Sequence, residues 1–291
     1  MKRILIAAIL AAAIPAYAQF DIGRALDFGK KALDTGKKLQ EANREYSNEE
    51  EVALGDGITS GFLGAAPLHR GENLQRYVNR VGRWLALHTE RPDLPWTFGV
   101  LDTDTINAFA MPGGTVLVSH GLVKRLQSES ELAGVLAHEI AHVVKRHQLA
   151  AIQSSAGSDA WAGVGKELAM QRAGRGGDVM GLKSQLASAG VDLVKNGFFL
   201  KPLDRSMEYE ADRLGVVIAA RGGYDPYGLV AVLTMLSQVK AEDSGPSILF
   251  STHPGPADRI SELEKFVPNV LERYAGQPQG EQRFRQMVDG R

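Results

Sequence analysis

Two histidines and a glutamate stand close together in the stretch Ser128–Ala150 and have the types and spacing to bind and use a metal ion. His138 and His142 are four residues apart, and in a helix this spacing places both imidazoles on one face. Glu139 follows the first histidine, at the edge of that face. Two neutral imidazoles beside a carboxylate suit a zinc ion that activates water, with Glu139 as general base. The alternative is a pair of surface histidines on an ordinary amphipathic helix.

The residues around this motif predict the helix that it requires. Ser128 and Glu131 have the spacing of a capping box, and a stripe of apolar residues recurs at helical intervals. The stripe consists of Leu132, Leu136, Ile140, Val143 and Val144. Gly134, a poor helix former one turn before His138, indicates a packing or access requirement. We expect a capped, half-buried helix whose two histidines lie away from the core stripe.

A second segment, residues 206–215, offers carboxylates to the same site. Glu208 and Asp212 are four residues apart and share a helix face, which Gly215 continues without a side chain. Glu208 is therefore a candidate third metal ligand, with Asp212 behind it orienting an imidazole N–H. Glu210 points elsewhere and is expected to be solvated. Taken alone, the pattern favours a surface helix with scattered carboxylates.

The elements that must position these residues follow from periodicity and turn residues. Expected are helices at 49–63 and 73–88, a strand at 97–101, and a hairpin of 107–111 and 115–119 around a Pro-Gly-Gly turn. Trp84 is placed on the core face of the second helix. Residues 153–183, rich in Gly, Ala and Ser, predict a mobile connection. His253 lies in a loop that Pro254 constrains.

Composition and the N-terminus narrow the class of protein. The chain has 291 residues, a net charge of −1 and no cysteine, which gives no case for nucleic-acid binding and excludes thiolate metal ligands. Two basic residues and the apolar run 4–14 precede an Ala-x-Ala site at 16–18, as in a signal peptide cleaved before Gln19. Without Lys2 and Arg3 the net charge becomes about −3. We expect an exported mature chain with no transmembrane segment.

Four motifs together resemble the zinc metallopeptidases of family M48, a group that includes outer-membrane quality-control proteases and mitochondrial Oma-type proteases. The motifs are Asn107–Gly114, His138–His142, Glu208–Asp212, and His253-Pro254 with Arg259-Ile260. The resemblance covers about residues 47–265. It implies an α+β, gluzincin-like domain, mostly helical, with a small sheet or hairpin over the motif helix. The chain is similar to soluble periplasmic members. We expect no C-terminal helical-repeat domain, since about 30 residues follow Ile260.

The resemblance also implies a role for each residue of the metal site. One zinc ion would be held by His138, His142 and Glu208, with Glu139 as the catalytic base. Asp212 would orient a ligand. The remaining histidines, which are His69, His88, His120 and His147, are interpreted as structural, because the helical angle turns even His147 away from the metal.

Two further roles concern the access of substrate to this site. His253 would occupy the fourth metal position, which predicts a self-inhibited resting state. Arg259 would anchor that loop or act near the substrate oxyanion, and is counted with Glu139 as a catalytic candidate. Substrate would be held as an added strand along Asn107, Ala108, Phe109 and Ala110.

The implied function is a zinc-dependent endopeptidase that cleaves unfolded or misfolded exported proteins in the periplasm, outer-membrane proteins among them. The location includes the periphery of the outer membrane, and no nucleic acid is expected as a partner. The main alternative is a chaperone-like binding protein with a structural zinc, and a third is a peptidase for small peptides. The expected organisation is a signal peptide at 1–18, an amphipathic lead-in at 19–46, the metallopeptidase domain at 47–275 and a flexible tail at 276–291.

Overall fold

The computed structural model describes residues 45–154, 203–239, 253 and 255–288. All of them belong to one compact unit. The expectations for the signal peptide, for the lead-in up to residue 44 and for the connection beyond residue 154 lie outside the described residues. The helices are α1 (Asn48–Ala65), α2 (Glu72–Ala86), α3 (His120–Val123), α4 (Glu129–Val144), α5 (His147–Ser154), α6 (Arg205–Arg221), α7 (Tyr227–Ser237), α8 (Pro256–Leu271) and α9 (Glu281–Val288), with a 3-10 turn at Glu272–Tyr274.

Within the described residues, three strands form one small mixed sheet. They are β1 (Thr97–Leu101), β2 (Ala108–Ala110) and β3 (Thr115–Ser119), in the order β1-β3-β2. β2 pairs with β3 antiparallel, which confirms the predicted hairpin, and β1 pairs with β3 parallel. The Pro-Gly-Gly turn needs its glycines, because Gly113 and Gly114 have φ angles of 84° and 110°.

The motif helix α4 lies at the centre of the unit, where it contacts the sheet and the helices α2, α6 and α7. The prediction of a half-buried helix is wrong, since Glu131 alone among residues 129–143 is not buried. The cap also differs from a closed capping box. The Ser128 hydroxyl accepts a hydrogen bond from Glu131 N–H, whereas the Glu131 carboxylate accepts from the N–H of Gln127.

Glycines allow two helices to approach α4 closely. A Cβ on Gly134 would lie 2.7 Å from the backbone nitrogen of Leu229 in α7, and a Cβ on Gly215 in α6 would lie 3.0 Å from the backbone of His138. Each position therefore has to be glycine, because a side chain there would collide with the backbone packed against it. The packing reason expected for Gly134 is confirmed. Through these contacts α6 brings its carboxylates directly over the two motif histidines.

The helix α2 shows where periodicity alone misplaces a side chain. Tyr77, Val81 and Leu85 are buried against the core, as predicted, but Trp84 is 48% exposed. Its indole N–H donates a hydrogen bond to the carbonyl of Gly222, the residue that ends α6. The prediction that Trp84 lies in the core is wrong, because it lies over the end of α6.

The C-terminal segment also departs from expectation. Residues 276–291 are predicted to be a flexible tail, yet 281–288 form the helix α9, whose Phe284 is buried beside Tyr77. Phe284 and Val288 pack on the core, and Arg283 binds Glu129, so this short helix is docked on the domain. No helix of the described residues is long and apolar enough to cross a bilayer. The expected fold class, an α+β domain that is mostly helical with a small sheet, is confirmed.

Candidate metal site

The two motif histidines converge as their spacing predicts. The Nε2 atoms of His138 and His142 lie 3.0 Å apart, and both rings are almost completely buried. They project from α4 toward α6, where Glu208 places its two carboxylate oxygens 3.6 Å from the same two nitrogens. The candidate ligand atoms of these three residues and of His253 lie within 4.8 Å of one another.

The hydrogen-bond partners behind the histidines assign their protons. His138 directs Nδ1 to Asp212 at 3.0 Å, so its Nδ1 carries the proton. His142 directs Nδ1 to Nδ1 of His147 at 3.0 Å, and His147 in turn directs Nε2 to Glu210 at 3.4 Å. In both series the N–H groups point toward a carboxylate, Asp212 behind His138 and Glu210 behind His147, as in carboxylate–histidine–metal arrangements. Two Nε2 lone pairs are then left facing each other, an arrangement that a cation would stabilise.

Buried charges of both signs surround this pair. Burial alone would raise the pKa values of the two carboxyl groups, but the cationic groups beside them prevail. His253 holds the pKa of Glu208 well below its usual range, and Arg259 does the same for Asp212. Burial lowers the pKa of His142, which favours the neutral, ligating imidazole. The site therefore combines ionised carboxylates with neutral imidazole, as a divalent metal requires.

Arg259 extends from α8 into this cluster and is itself buried. Its Nε and Nη2 donate to the two oxygens of Asp212 at 2.8 and 2.6 Å, and its Nη1 lies 3.3 Å from Glu208. Such a two-point pair fixes the orientation of Asp212 and hence of His138. These contacts favour an anchoring role for Arg259 over action on the substrate oxyanion.

His253 lies on the open side of the cluster and closes it. Its Nδ1 is 2.7 and 2.8 Å from the two oxygens of Glu208, and the ring is almost completely buried. Burial alone would lower its pKa, but the carboxylate of Glu208 raises it. The structure thus brings the predicted fourth ligand to the site.

Glu139 faces a cavity that lies next to the candidate metal site. It is only 4% exposed, and burial raises its pKa above the usual value of a glutamate. Within the part of the chain that the structure describes, no group donates a hydrogen bond to its carboxylate. The cavity is also lined by His138, His253 and Arg259. A carboxylate held beside the ligands but not among them is placed to accept a proton.

Comparison with known protein families shows the family to which the chain belongs. The model of peptidase family M48 matches residues 72–267, a range that contains the histidine motif, Glu208, Asp212, His253 and Arg259. The chain belongs to peptidase family M48. The family expected from the sequence motifs is thereby confirmed, and with it a domain of the metallopeptidase type.

Named relatives of this M48 chain come from bacteria and from mitochondria. It is 32% identical over 223 residues to the "Beta-barrel assembly-enhancing protease" of Yersinia pestis, covering 76% of this chain and 44% of that protein. It is 29% identical over 265 residues to the Escherichia coli (strain K12) protein of the same name, covering 90% and 52%. It is 32% identical over 254 residues to the "Mitochondrial metalloendopeptidase OMA1" of Schizosaccharomyces pombe, covering 84% and 64%. The chain thus spans about half the length of the bacterial relatives it matches.

The strand β2 of this M48 domain occupies the predicted position but is not exposed. Among the described strands it is the outer one, and its pairing with β3 directs the backbone groups of Ala108 and Ala110 away from the sheet. Ala108 and Ala110 are nevertheless buried, and Phe109 is half-buried. An added strand would need these buried groups to become accessible, so the expectation that substrate is held along Asn107–Ala110 stays a prediction.

Asn107, at the start of β2, carries an unusual side chain. It is completely buried, and its Oδ1 accepts a hydrogen bond from the N–H of Ala108. Its Nδ2 has no hydrogen-bond partner among the described residues. A buried amide N–H without an acceptor is costly, so it is a donor available to a ligand that reaches β2.

His147 is the functional neighbour that helical reasoning missed. A continuous helix would turn it away from the site, but α4 ends at Val144 and Arg146 has a left-handed φ of 56°. The chain therefore turns before α5, which begins at His147 and brings this ring against His142. Glu210, expected to be solvated, is half-exposed and pairs with Lys145 as well as His147. No residue in the sequence signals the left-handed turn at Arg146.

The other three histidines have the contacts of structural residues. His69 and His120 stack with ring centroids 4.1 Å apart near Asp102. The Nδ1 of His69 accepts a hydrogen bond from the N–H of Gly71 at 3.1 Å, so this lone pair is already engaged at the start of α2. His88 directs Nδ1 to the carbonyl of Trp84. These contacts support the structural interpretation.

Proposed function

We propose that this chain is a zinc-dependent endopeptidase that cleaves unfolded or misfolded exported proteins. The observation that carries the proposal is the convergence of the buried Nε2 atoms of His138 and His142, which lie 3.0 Å apart beside Glu208. Next to them stands Glu139, a carboxylate with a raised pKa and without a hydrogen-bond donor among the described residues. A purely structural metal site has no use for such a base.

Zinc is the metal that this donor set fits best. Two imidazoles and one carboxylate form a ligand set common in catalytic zinc sites, and Asp212 and His147 orient the two imidazoles from behind. When bound, zinc would polarise the scissile carbonyl and acidify a water molecule.

The chain's own residues then supply the proton transfers. Glu139 takes a proton from the attacking water and delivers it to the leaving amine. Glu139 therefore acts first as a base and then as an acid, and it must release the proton that it has accepted. Arg259 holds Asp212, and Asp212 holds His138, so this pair keeps the imidazole in position through the reaction.

Substrate would bind as an extended strand along the outer side of β2. The carbonyl of Ala108 and the backbone groups of Ala110 point away from β3 and offer hydrogen bonds, whereas the N–H of Ala108 already donates to Oδ1 of Asn107. The Nδ2 of Asn107, which has no partner among the described residues, offers a further donor. Recognition through backbone groups favours unfolded chains of varied sequence. Folded proteins cannot present the extended segment that such pairing needs.

The burial of β2 and the position of His253 together suggest a self-inhibited resting state. His253 closes the open side of the site through Glu208, where it can take the fourth metal position. Opening would lift His253 away, and the extent of opening is set by the affinity of substrate for the open form. His253→Ala should therefore raise the peptidase rate with zinc still bound. An unchanged rate and unchanged zinc affinity would rule out self-inhibition by His253.

The periplasm is the proposed location, and outer-membrane proteins are the proposed substrates. The apolar run 4–14 with its Ala-x-Ala site supports export. Relatives named "Beta-barrel assembly-enhancing protease" support substrates of the β-barrel class. Expression of the full sequence in a bacterium, followed by fractionation and N-terminal sequencing, tests both export and cleavage before Gln19.

A chelator experiment tests the activity itself. The protein without residues 1–18 is incubated with casein and with an unfolded outer-membrane protein, before and after removal of metal, and again after zinc is restored. We expect fragments only when metal is present. Binding of the unfolded chain without any cleavage would instead favour the chaperone-like alternative, and cleavage of short peptides alone would favour the small-peptide alternative.

A further inference from the structure

Glu51 of α1 is a completely buried carboxylate that lies outside the metal site. Its Oε1 accepts hydrogen bonds from Nη1 of Arg91 at 3.0 Å and from the N–H of Gly113 at 3.1 Å. Its Oε2 pairs with Nη2 of Arg91 at 2.8 Å and with Nε of Arg146 at 3.0 Å. One carboxylate therefore binds two guanidinium groups, which would repel each other without it.

Both arginines contact the C-terminal end of the motif helix α4. Nη1 of Arg91 donates a hydrogen bond to the carbonyl of Val143 at 3.0 Å, one of the last carbonyls of that helix. Arg91 and Arg146 also donate to Oδ1 of Asn48, at 2.9 and 3.1 Å. Positive charge is favourable at this end of a helix because of the helix dipole. The first turn of α1 is thereby bound to the end of α4.

Backbone contacts fix the position of Glu51. A Cβ on Gly55, one turn further along α1, would lie 1.8 Å from the carbonyl oxygen of Pro112. A Cβ on Gly113 would lie 2.5 Å from Cα of Val52. The helix α1 therefore packs backbone to backbone on the Pro-Gly-Gly turn. This packing leaves the Glu51 carboxylate little freedom to follow its partners if they move.

The turn at Arg146 decides where His147 lies. The helix α4 ends at Val144, α5 begins at His147, and Arg146 between them has a left-handed φ of 56°. That conformation is unfavourable for a residue with a Cβ, so it persists only where neighbouring groups hold it. Here it brings Nδ1 of His147 to 3.0 Å from Nδ1 of His142. The pair between Nε of Arg146 and Glu51 is placed to hold this turn.

We infer that Glu51 is a positioning residue of the metal site. It fixes the left-handed turn at Arg146, and that turn places His147 behind the ligand His142. The inference rests on the proposed function, because it takes His142 as a zinc ligand. It also adds a contribution from α1, which lies outside residues 72–267, the range that matches family M48.

Glu51→Gln tests the role of the charge. Glutamine keeps the shape of the side chain but leaves the two guanidinium groups without an anion between them. The turn at Arg146 should then loosen, and we expect zinc affinity to fall about tenfold, at the lower end of the effect of groups that orient a ligand. Competition with a zinc chelator measures the affinity of the protein without residues 1–18, and circular dichroism shows whether the variant is folded.

Two substitutions of Arg146 test whether Glu51 acts through the turn. Arg146→Ala loses the pair with Glu51 and keeps a Cβ in the left-handed conformation, so zinc affinity should fall about tenfold. Arg146→Gly loses the same pair, but glycine adopts this conformation freely, so the affinity should stay within about threefold of wild type. Adding Glu51→Gln to Arg146→Gly should then have almost no further effect. A general loss of stability would weaken zinc binding equally in both backgrounds.

Arg283→Met is the control for the loss of a buried ion pair. Arg283 binds the buried carboxylate of Glu129 in the first turn of α4, at the opposite end of that helix from Arg146. The variant removes a cation from a buried carboxylate without touching the turn before α5. Its zinc affinity should equal that of wild type.

The outcomes distinguish the inference from the function on which it rests. Wild-type zinc affinity in folded Glu51→Gln overturns the inference and leaves the proposed function intact. If Glu51→Gln does not fold, the Arg146 variants decide, and equal zinc affinities of Arg146→Ala and Arg146→Gly overturn the inference. The expected affinities in every variant, with no zinc-dependent cleavage by wild type, overturn the proposed function alone. A wild-type protein that binds no zinc overturns both.

Discussion

The helix α4 carries two buried clusters of polar side chains, one at its start and one in its second half. At the start, Glu129 is 2% exposed and accepts hydrogen bonds from Tyr77, Tyr224 and Arg283. We call these four residues the N-terminal clamp. In the second half, the candidate metal site gathers His138, His142 and Glu208. Both clusters bury a carboxylate against the same helix, and they differ in how its charge is compensated.

In the N-terminal clamp both oxygens of the Glu129 carboxylate accept hydrogen bonds from protein side chains. The oxygen Oε2 of Glu129 accepts from the Tyr77 hydroxyl at 2.5 Å and from Arg283, and Oε1 accepts from the Tyr224 hydroxyl and from Arg283. The carboxylate also lies in the first turn of α4, where the helix dipole favours a negative charge. A fully satisfied cluster of this kind contributes to stability and holds the C-terminal segment in place.

At the metal site the described residues leave polar groups without hydrogen-bond partners. Two imidazole lone pairs face each other at 3.0 Å, and Glu139 has no hydrogen-bond donor among the described residues. Such an arrangement is unfavourable without a cation or substrate, and strain of this kind is typical of functional sites. The two clusters therefore differ in their hydrogen bonds: all polar groups of the Glu129 carboxylate have partners, whereas groups at the candidate metal site do not among the described residues.

The largest expected effect is on the metal site. His138→Ala removes one of three protein ligands and should reduce bound zinc to a small fraction of one ion per chain, with peptidase activity lost at least 10²-fold. Zinc content by elemental analysis and casein cleavage measure the two effects. His88→Ala, in the turn after α2 and outside the site, should change neither. Full zinc occupancy in His138→Ala would contradict the ligand assignment.

Asp212→Asn should have a smaller effect on the same site. The variant loses the charge that holds both His138 and Arg259, and removal of such a supporting carboxylate weakens metal affinity by roughly 10–100-fold. Competition with a zinc chelator measures the affinity. The matched variant Asp258→Asn affects an exposed carboxylate that pairs with Arg205, and its affinity should equal that of wild type. Equal affinities in both variants would remove Asp212 from its orienting role.

Arg283→Met tests the N-terminal clamp. It leaves the buried Glu129 with two tyrosine donors and no cation, which should cost about 2 kcal/mol of unfolding free energy, a value that allows for the exposure of Arg283. Denaturant unfolding measures the change, and zinc stoichiometry below the transition should stay at one per chain. Arg285→Met, which loses only an exposed bond to Gln127, should cost almost nothing. Loss of zinc in folded Arg283→Met would show that the two clusters are not independent.

Tyr224→Phe should give the smallest measurable effect. It removes one of four hydrogen bonds to Glu129 and should cost about 1 kcal/mol of unfolding free energy. Tyr227→Phe provides the control, because its hydroxyl bonds to the exposed carboxylate of Glu272. If the two variants are equally stable, the carboxylate of Glu129 is less dependent on its neutral donors than the geometry indicates.

Sequence reasoning succeeded where the relevant residues are local or belong to a known motif. His138, His142 and Glu139 lie within five residues, and helical spacing alone brings them together. The spacing of Glu208, Asp212 and Gly215 made Glu208 a candidate ligand, and the resemblance to the family supported it. The metal role of His253 came from the resemblance, because nothing local connects the loop before α8 to α4. The hairpin was predictable from its turn residues, whereas the parallel pairing of β1 with β3 was not.

The N-terminal clamp could not be predicted, because its partners are distant in the chain. Tyr77, Tyr224 and Arg283 lie 52, 95 and 154 residues from Glu129. Without the fold, Glu129 is an ordinary acidic residue in the first turn of a helix, and Phe284 is one aromatic residue in a polar tail. Long-range packing decides both, so a tail of polar composition was expected to be flexible and instead contains a docked helix.

Zinc content and turnover of the Glu139→Gln variant together test whether Glu139 is the general base and not a metal ligand. The substitution keeps the size of the side chain and leaves His138, His142 and Glu208 in place, so one zinc ion per chain should remain bound. Cleavage of casein should fall by roughly 10²–10⁴-fold, the usual contribution of a general base. Wild-type turnover in Glu139→Gln with full zinc would contradict the account, because another group would then have to act as the base.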